Sequence, residues 1–214
     1  MMALILALSF VLPAVSPTAQ STDRLVARNV SIVETNYRGR SAIRVIANRK
    51  APNGTSYALL KDVVFRDGVI EVDLAGQPVA EASATARGFI GIAFRVQDDG
   101  RYEYIYLRPT NGRADDQVRR NHSTQYSSYP DFNFARSRQE APEKYESYVD
   151  LQPGVWTKYK IKVEGRKARL YVHGAAQPCL IVNDLKLEPH DGGVALWVGP
   201  DTEGYFTSLK ITAK

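Results

Sequence analysis

Two runs of alternating apolar and polar residues, 87–97 and 102–108, flank an Asp98-Asp99-Gly100 turn, which is the pattern of a β-hairpin. Alternate residues of a strand face opposite sides. Ile90, Ile92, Phe94 and Val96 therefore share one face with Ile105 and Leu107. Phe89, Gly91, Ala93, Arg95 and Gln97 are placed on the other, beside Tyr102, Tyr104, Tyr106 and Arg108. The first face reads as core. The second carries aromatic rings and guanidiniums over small residues, and is the leading candidate for a working surface.

The same alternation recurs along the chain. Residues 29–34, 41–47, 57–60, 63–65 and 69–74 read as short strands, with Asp67-Gly68 as a further turn, and 76–86 as a loop. Between 109 and 150 the apolar period fades into Arg, Asn, Tyr, Ser and Pro, which reads as a long irregular insertion of the binding-loop kind, with a short strand near 124–128. Regular structure resumes at 156–163, 168–172, 179–182, 194–198 and 205–211. A helical period is nowhere sustained beyond about two turns. About a dozen short strands between Gly, Pro, Asn and Asp turns predict an all-β sandwich or barrel, with residues 28–214 as one domain.

Composition narrows the setting more than the fold. Residues 1–19 resemble a secretory signal peptide, with an uncharged apolar stretch and a small-residue end at Ser16-Pro17-Thr18-Ala19. The run is shorter than the roughly 20 residues of a membrane span and contains Pro13. The expectation is export, to a periplasmic or extracellular location, with no stable membrane insertion. The net charge of +5 is spread thinly and without a Lys/Arg block, so nucleic acid is not an expected partner. A single cysteine, Cys179, excludes an intramolecular disulfide.

The order of the second half carries a resemblance. Gly154-Val-Trp-Thr-Lys-Tyr-Lys-Ile-Lys-Val-Glu-Gly165 is followed by Ala168-Arg-Leu-Tyr-Val172, Pro178-Cys-Leu-Ile-Val-Asn-Asp184, Gly193-Val-Ala-Leu-Trp-Val-Gly199 and Gly204-Tyr-Phe-Thr-Ser-Leu-Lys-Ile211. This resembles the concanavalin A-like lectin/glucanase superfamily, and within it laminin-G-like domains and the bacterial 3-keto-disaccharide hydrolase family. Phe65-Arg-Asp-Gly-Val-Ile-Glu-Val-Asp73 and Gly88–Arg95 fit the first half of such a jelly roll. The resemblance implies two antiparallel sheets and a sugar-holding concave outer face.

Three constellations could carry chemistry. Glu71 and Asp73 share one strand face opposite Ile70, Val72 and Leu74. Family 16 glycoside hydrolases place their acids in a Glu-x-Asp-x-(x)-Glu pattern, but here Gln77 closes the run and the third acid is absent. Retaining hydrolysis needs two carboxyls about 5–5.5 Å apart, so a solvated polar strand face competes with catalysis. The second constellation is Tyr102, Tyr104, Tyr106, Arg108, Arg95 and Trp197, where rings could stack on sugar C–H faces while hydroxyls and guanidiniums bond sugar hydroxyls. Cross-strand aromatic packing would explain the same residues. The third is the Arg119–Tyr126 stretch, in which Arg120, Asn121 and Gln125 could clamp a ligand and His122 could act as acid or base.

No zinc spacing, P-loop or nucleophile elbow occurs, so no cofactor is expected. Structural calcium has only turn-like candidates at Asp98-Asp99-Gly100, Asp115-Asp116 and Asp191. Two functions stay open at this point. One is an exported carbohydrate-binding sandwich using the Tyr/Arg/Trp face. The other is a hydrolase of glycoside or 3-keto-glycoside type using Glu71, Asp73 or His122 in the same cleft. A sandwich that binds protein and no small ligand is a third, plainer possibility.

Overall fold

The computed structural model describes residues 21–214, so the leader expected at 1–19 lies outside the described residues. The strands are β1 (Leu25–Arg28), β2 (Val30–Tyr37), β3 (Arg40–Ala47), β4 (Tyr57–Leu60), β5 (Gly68–Pro78), β6 (Ile90–Val96) and β7 (Tyr102–Leu107). They continue with β8 (Thr124–Tyr129), β9 (Glu146–Ser147), β10 (Thr157–Glu164), β11 (Lys167–Val172), β12 (Leu180–Val182), β13 (Gly193–Val198) and β14 (Thr202–Ala213). Two short helices, α1 (Gln117–Asn121) and α2 (Phe134–Glu140), lie between β7 and β9.

These strands form two seven-stranded antiparallel sheets, β1-β4-β13-β6-β7-β8-β9 and β12-β11-β10-β5-β14-β3-β2. The hairpin read from the sequence is β6–β7, with Ile90 opposite Leu107 and Gly91 opposite Tyr106. Its inner residues Ile90, Ile92, Phe94, Ile105 and Leu107 pack in one core with Val194, Leu196 and Val198 of β13. The facing sheet supplies Ile70, Val72 and Leu74 of β5, Tyr159, Ile161 and Val163 of β10, and Phe206 of β14. Each fully buried aliphatic or aromatic chain contributes roughly 1.5–3 kcal/mol, so this layer is the main source of cohesion.

Three expectations change. The stretch from Gly76 does not leave the sheet at once, because β5 continues to Pro78 between its neighbours β10 and β14. Residues 63–65 form only an isolated bridge, from Phe65 to Gly192. The segment 109–150 is less an insertion than the edge of the first sheet: β8 pairs along β7, and β9 pairs with β8.

Candidate functional site

A solvated sheet normally buries one face and wets the other. β6 and β7 instead are buried at every position. Their outward side chains join those of β13 in a second apolar cluster of Ala93, Val96, Tyr102, Tyr104, Tyr106, Ala195 and Trp197, edged by Tyr57, Leu59, Phe89 and Tyr129, so Val96 is on this face and not on the core face expected for it. Gly91 makes the cluster possible. It lies between Tyr106 on β7 and Trp197 on β13, and a Cβ there would come within 2.6 Å of the Tyr106 Cα. The space left free is filled by rings. Trp197 packs 4.9 Å from Tyr104 and 5.0 Å from Tyr106, each tilted by 38°. Tyr104 stacks on Tyr106 at 5.5 Å, Tyr102 stacks on Tyr129 at 5.3 Å, and Phe89 meets Tyr106 edge-on at 6.1 Å. Trp197 also donates from Nε1 to the Tyr102 hydroxyl at 3.2 Å.

The structure thus gathers Tyr102, Tyr104, Tyr106 and Trp197 on one face, with only 0%, 6%, 3% and 2% of their surface exposed. The floor is filled by the protein's own rings. Half-buried Tyr57, Phe89 and Tyr129 form the accessible aromatic rim. Burial raises the Tyr102, Tyr104 and Tyr106 phenols above their ordinary value, so all three stay protonated and act as neutral hydrogen-bonding groups.

The strip ends in a polar network. Arg108, just beyond β7, lies against Tyr106 with its guanidinium carbon 5.0 Å from the ring centre. It donates to the Tyr106 hydroxyl at 3.0 Å, to Gln125 Oε1 at 2.7 Å, to the His122 carbonyl at 3.1 Å and to Glu146 Oε1 at 2.9 Å. Gln125 in turn donates to the Tyr126 carbonyl and to Ser137 Oγ of α2. Arg138 grips Glu146 through Nε at 2.9 Å and Nη2 at 2.6 Å. Burial alone would raise the Glu146 carboxyl, but the Arg138 hydrogen bonds and the charges of Arg108 and Arg138 hold it below its ordinary value. His122 Nε2 lies 3.5 Å from Glu146 Oε2. Burial, aided by the Arg138 and Arg108 charges, outweighs that attraction and lowers the imidazole below its ordinary value, so it is neutral at pH 7.

Tyr106, Arg108, His122, Gln125 and Trp197 therefore meet on one surface. Arg120 and Asn121 lie on α1 beside it; Asn121 Oδ1 accepts from Gln117, and Arg120 Nε is buried without a hydrogen bond. Glu146 and Arg138 were not expected. They come from a two-residue strand and a short helix, neither of which carries an alternation that would single them out.

Two expectations are corrected. Arg95 is not on the aromatic face. A bulge opposite Gly193–Val194 interrupts the alternation at Arg95, which adopts φ +54, and its fully buried guanidinium turns toward the second sheet. There it donates to the Arg66 carbonyl at 2.8 Å, to Asp67 at 3.0 Å and to the Gly165 carbonyl at 2.7 Å, and so pins the two sheets together. Glu71 and Asp73 do share a face, but it is the outer face of the second sheet. Two stacked sheets, about 10 Å apart, separate them from His122 and Glu146. Asp73 pairs there with Arg40 at 2.6 Å, next to Trp156, whose ring lies 4.9 Å under the Arg40 guanidinium.

Among the described residues, no group of three or more His, Cys, Asp or Glu side chains is placed to hold a metal ion. Of the turn carboxylates, Asp99 accepts from Arg101, and Asp116 caps α1 through the Arg119 amide. No described helix is long and apolar enough to cross a membrane.

No protein-family description and no curated protein matches the chain by sequence. Solved structures do match its shape. A carbohydrate binding module from Bacillus subtilis superposes with a TM-score of 0.60 at 13% identity, covering 89% of this chain and 96% of its own. A Bacillus subtilis protein of unknown function with a galectin-like fold gives 0.56 at 9% identity, covering 92% and 95%. A Parabacteroides distasonis protein provisionally named a glycosyl hydrolase gives 0.54 at 9% identity, covering 92% of each chain. The fold is a concanavalin A-like jelly roll.

Proposed function

We propose that this protein is an exported glycan-binding β-sandwich whose working surface is the outer face of the first sheet. One observation carries the reading: an aromatic strip on the outer face of the first sheet, rimmed by half-buried Tyr57, Phe89 and Tyr129, runs into a hydrogen-bonded Arg108–Gln125–Glu146 network. Sugars need both parts, rings for their C–H faces and fixed polar groups for their hydroxyls. The naming of one structural neighbour as a carbohydrate binding module agrees with this. Because the floor is filled, a glycan would rest on the rim, on Phe89 and Tyr57, and meet the network through Arg138, whose side chain is 40% exposed.

Binding is favoured over hydrolysis. Glu146 is the carboxylate in the network, and two guanidiniums keep it ionised, which suits a hydrogen-bond acceptor and not a proton donor. Glu71 and Asp73, the acids first considered for that role, are on the other side of the sandwich. A screen of neutral and acidic glycans followed by calorimetry tests the reading. Phe89→Ala and Tyr57→Ala should each weaken binding about tenfold, the scale of one lost aromatic contact. A silent screen, or affinity untouched in both variants, would overturn it. Export is tested by fusing residues 1–25 to a reporter active only outside the cytoplasm; an inactive fusion would argue against it.

A further inference from the structure

The end of the aromatic strip is rich in guanidiniums. Arg87 lies within the fields of Arg108 and Arg119, and Glu146, the carboxylate that pairs with Arg108, is also held by Arg138. Arg87 lies two residues before Phe89 in the segment leading into β6, and its carbonyl accepts the Thr110 amide at 3.3 Å. Arg119 reaches the same Thr110 from α1, bonding its carbonyl at 3.3 Å and its hydroxyl at 3.2 Å, and bonds Asn111 Oδ1 at 3.0 Å.

All partners of these two guanidiniums are neutral. Arg87 Nη1 donates to the Ala84 and Ala86 carbonyls, each at 2.8 Å. Among the described residues, neither Arg87 nor Arg119 forms an ion pair, and Arg87 Nε and Nη2 and Arg119 Nη1 make no hydrogen bond. Held by carbonyls, amides and a hydroxyl, both side chains are fixed in place while their charge stays uncompensated. Burial first, and then the like charges of Arg119 and Arg108, lower the Arg87 pKa. Such an arrangement is costly unless something negative completes it.

We infer that Arg87 and Arg119 form a seat for an anionic substituent of a bound glycan, a carboxylate or a sulfate ester, at the Phe89 end of the aromatic face. Arg presents parallel N–H donors that match two oxygens of such a group. The inference rests on the glycan-binding reading and adds the class of glycan to it.

Calorimetry with four ligands tests it: oligogalacturonate, its methyl ester, dextran sulfate and dextran. At least one anionic ligand should bind about tenfold or more tightly than its neutral counterpart, with the advantage shrinking in high salt. Arg87→Gln should erase that advantage and leave the neutral ligand's affinity unchanged, and Arg87→Glu should turn it into a disadvantage. Urea unfolding of both variants checks that each stays fully folded under the conditions of the titrations. A response confined to oligogalacturonate identifies a sugar carboxylate, and one confined to dextran sulfate identifies a sulfate ester. Equal binding of acid and ester and of sulfated and plain dextran, or an anionic advantage that survives Arg87→Glu, overturns the seat. Silence from all four ligands also overturns it, while the glycan screen separately decides whether the face binds sugar at all.

Discussion

Glu146→Gln isolates the electrostatics of the polar network. The substitution keeps the shape of the side chain, removes its charge and turns one oxygen into a donor that faces the Arg108 and Arg138 donors. The Arg108 side chain is 5% exposed and cannot recover its lost partner from water, whereas the Arg138 side chain is 40% exposed and can. Breaking a buried ion pair costs about 3–5 kcal/mol. With Arg138 resolvated and Tyr106, Gln125 and the His122 carbonyl still accepting from Arg108, the lower end applies, roughly 3 kcal/mol. For a domain of this size that lowers the melting temperature by roughly 6–12 °C.

The pH dependence has a definite sign. The Glu146 carboxyl is depressed in the folded state, so its stabilisation is complete above its ordinary value of 4.5 and is lost as the pH falls through the folded value below it. His122 is also depressed, so stability declines earlier, as the pH drops below the ordinary imidazole value of 6.5 and the unfolded chain gains a proton first. Urea unfolding followed by tryptophan fluorescence between pH 3 and 8 reads both limbs. The variant should show a shallower lower limb, because Asp184 and Glu203, also held below their ordinary values, still contribute to it. A cost under about 1 kcal/mol at pH 7, or an unchanged lower limb, would refute the assignment of a buried, ionised Glu146.

Arg95→Met should destabilise by about 3 kcal/mol in urea unfolding, because it leaves Asp67 and the Arg66 and Gly165 carbonyls without their donor; a neutral effect would deny its role as an inter-sheet pin. Gly91→Ala should cost more than the roughly 1–3 kcal/mol of ordinary overpacking, since its new methyl would collide with the Ile105 carbonyl and the Tyr106 backbone; a parent-like melting temperature would contradict the packing described. The Cys179 thiol, pushed up to about 11 by burial, should alkylate far more slowly at pH 8 in the folded protein than in urea, and equal rates would show that it is accessible.

Much of the fold is legible in the sequence because alternation is a local signal. Residues 90–94 and 102–107 declare both the hairpin and its two faces, and most of the strands from β10 to β14 follow the same rule. Where parity breaks, the reading breaks with it. One extra residue at the β6 bulge sends Arg95 inward, and nothing in Ala-Phe-Arg-Val marks that bulge. Parity also placed Glu71 and Asp73 correctly on an outer face of β5 but could not say which sheet β5 joins, a matter settled by pairing with β10 and β14 far along the chain. β8, Thr-Gln-Tyr-Ser-Ser-Tyr, is the short strand expected near 124–128, but its polar composition hides that nearly all of it is buried. The central carboxylate Glu146 sits on a strand of two residues, too short to carry a period, and only the fold reveals it.

The chain contains two tryptophans, and the fold assigns one to each outer face: Trp197 to the aromatic strip and Trp156 to the second sheet beside Arg40. Their indole N–H signals in a nitrogen-labelled sample report on the two surfaces separately. Titration with a glycan found in the screen should shift the Trp197 signal, whose N–H bonds the Tyr102 hydroxyl beneath the rim, and leave the Trp156 signal in place. A shift of Trp156 with Trp197 unmoved would contradict the placement of the binding surface on the first sheet.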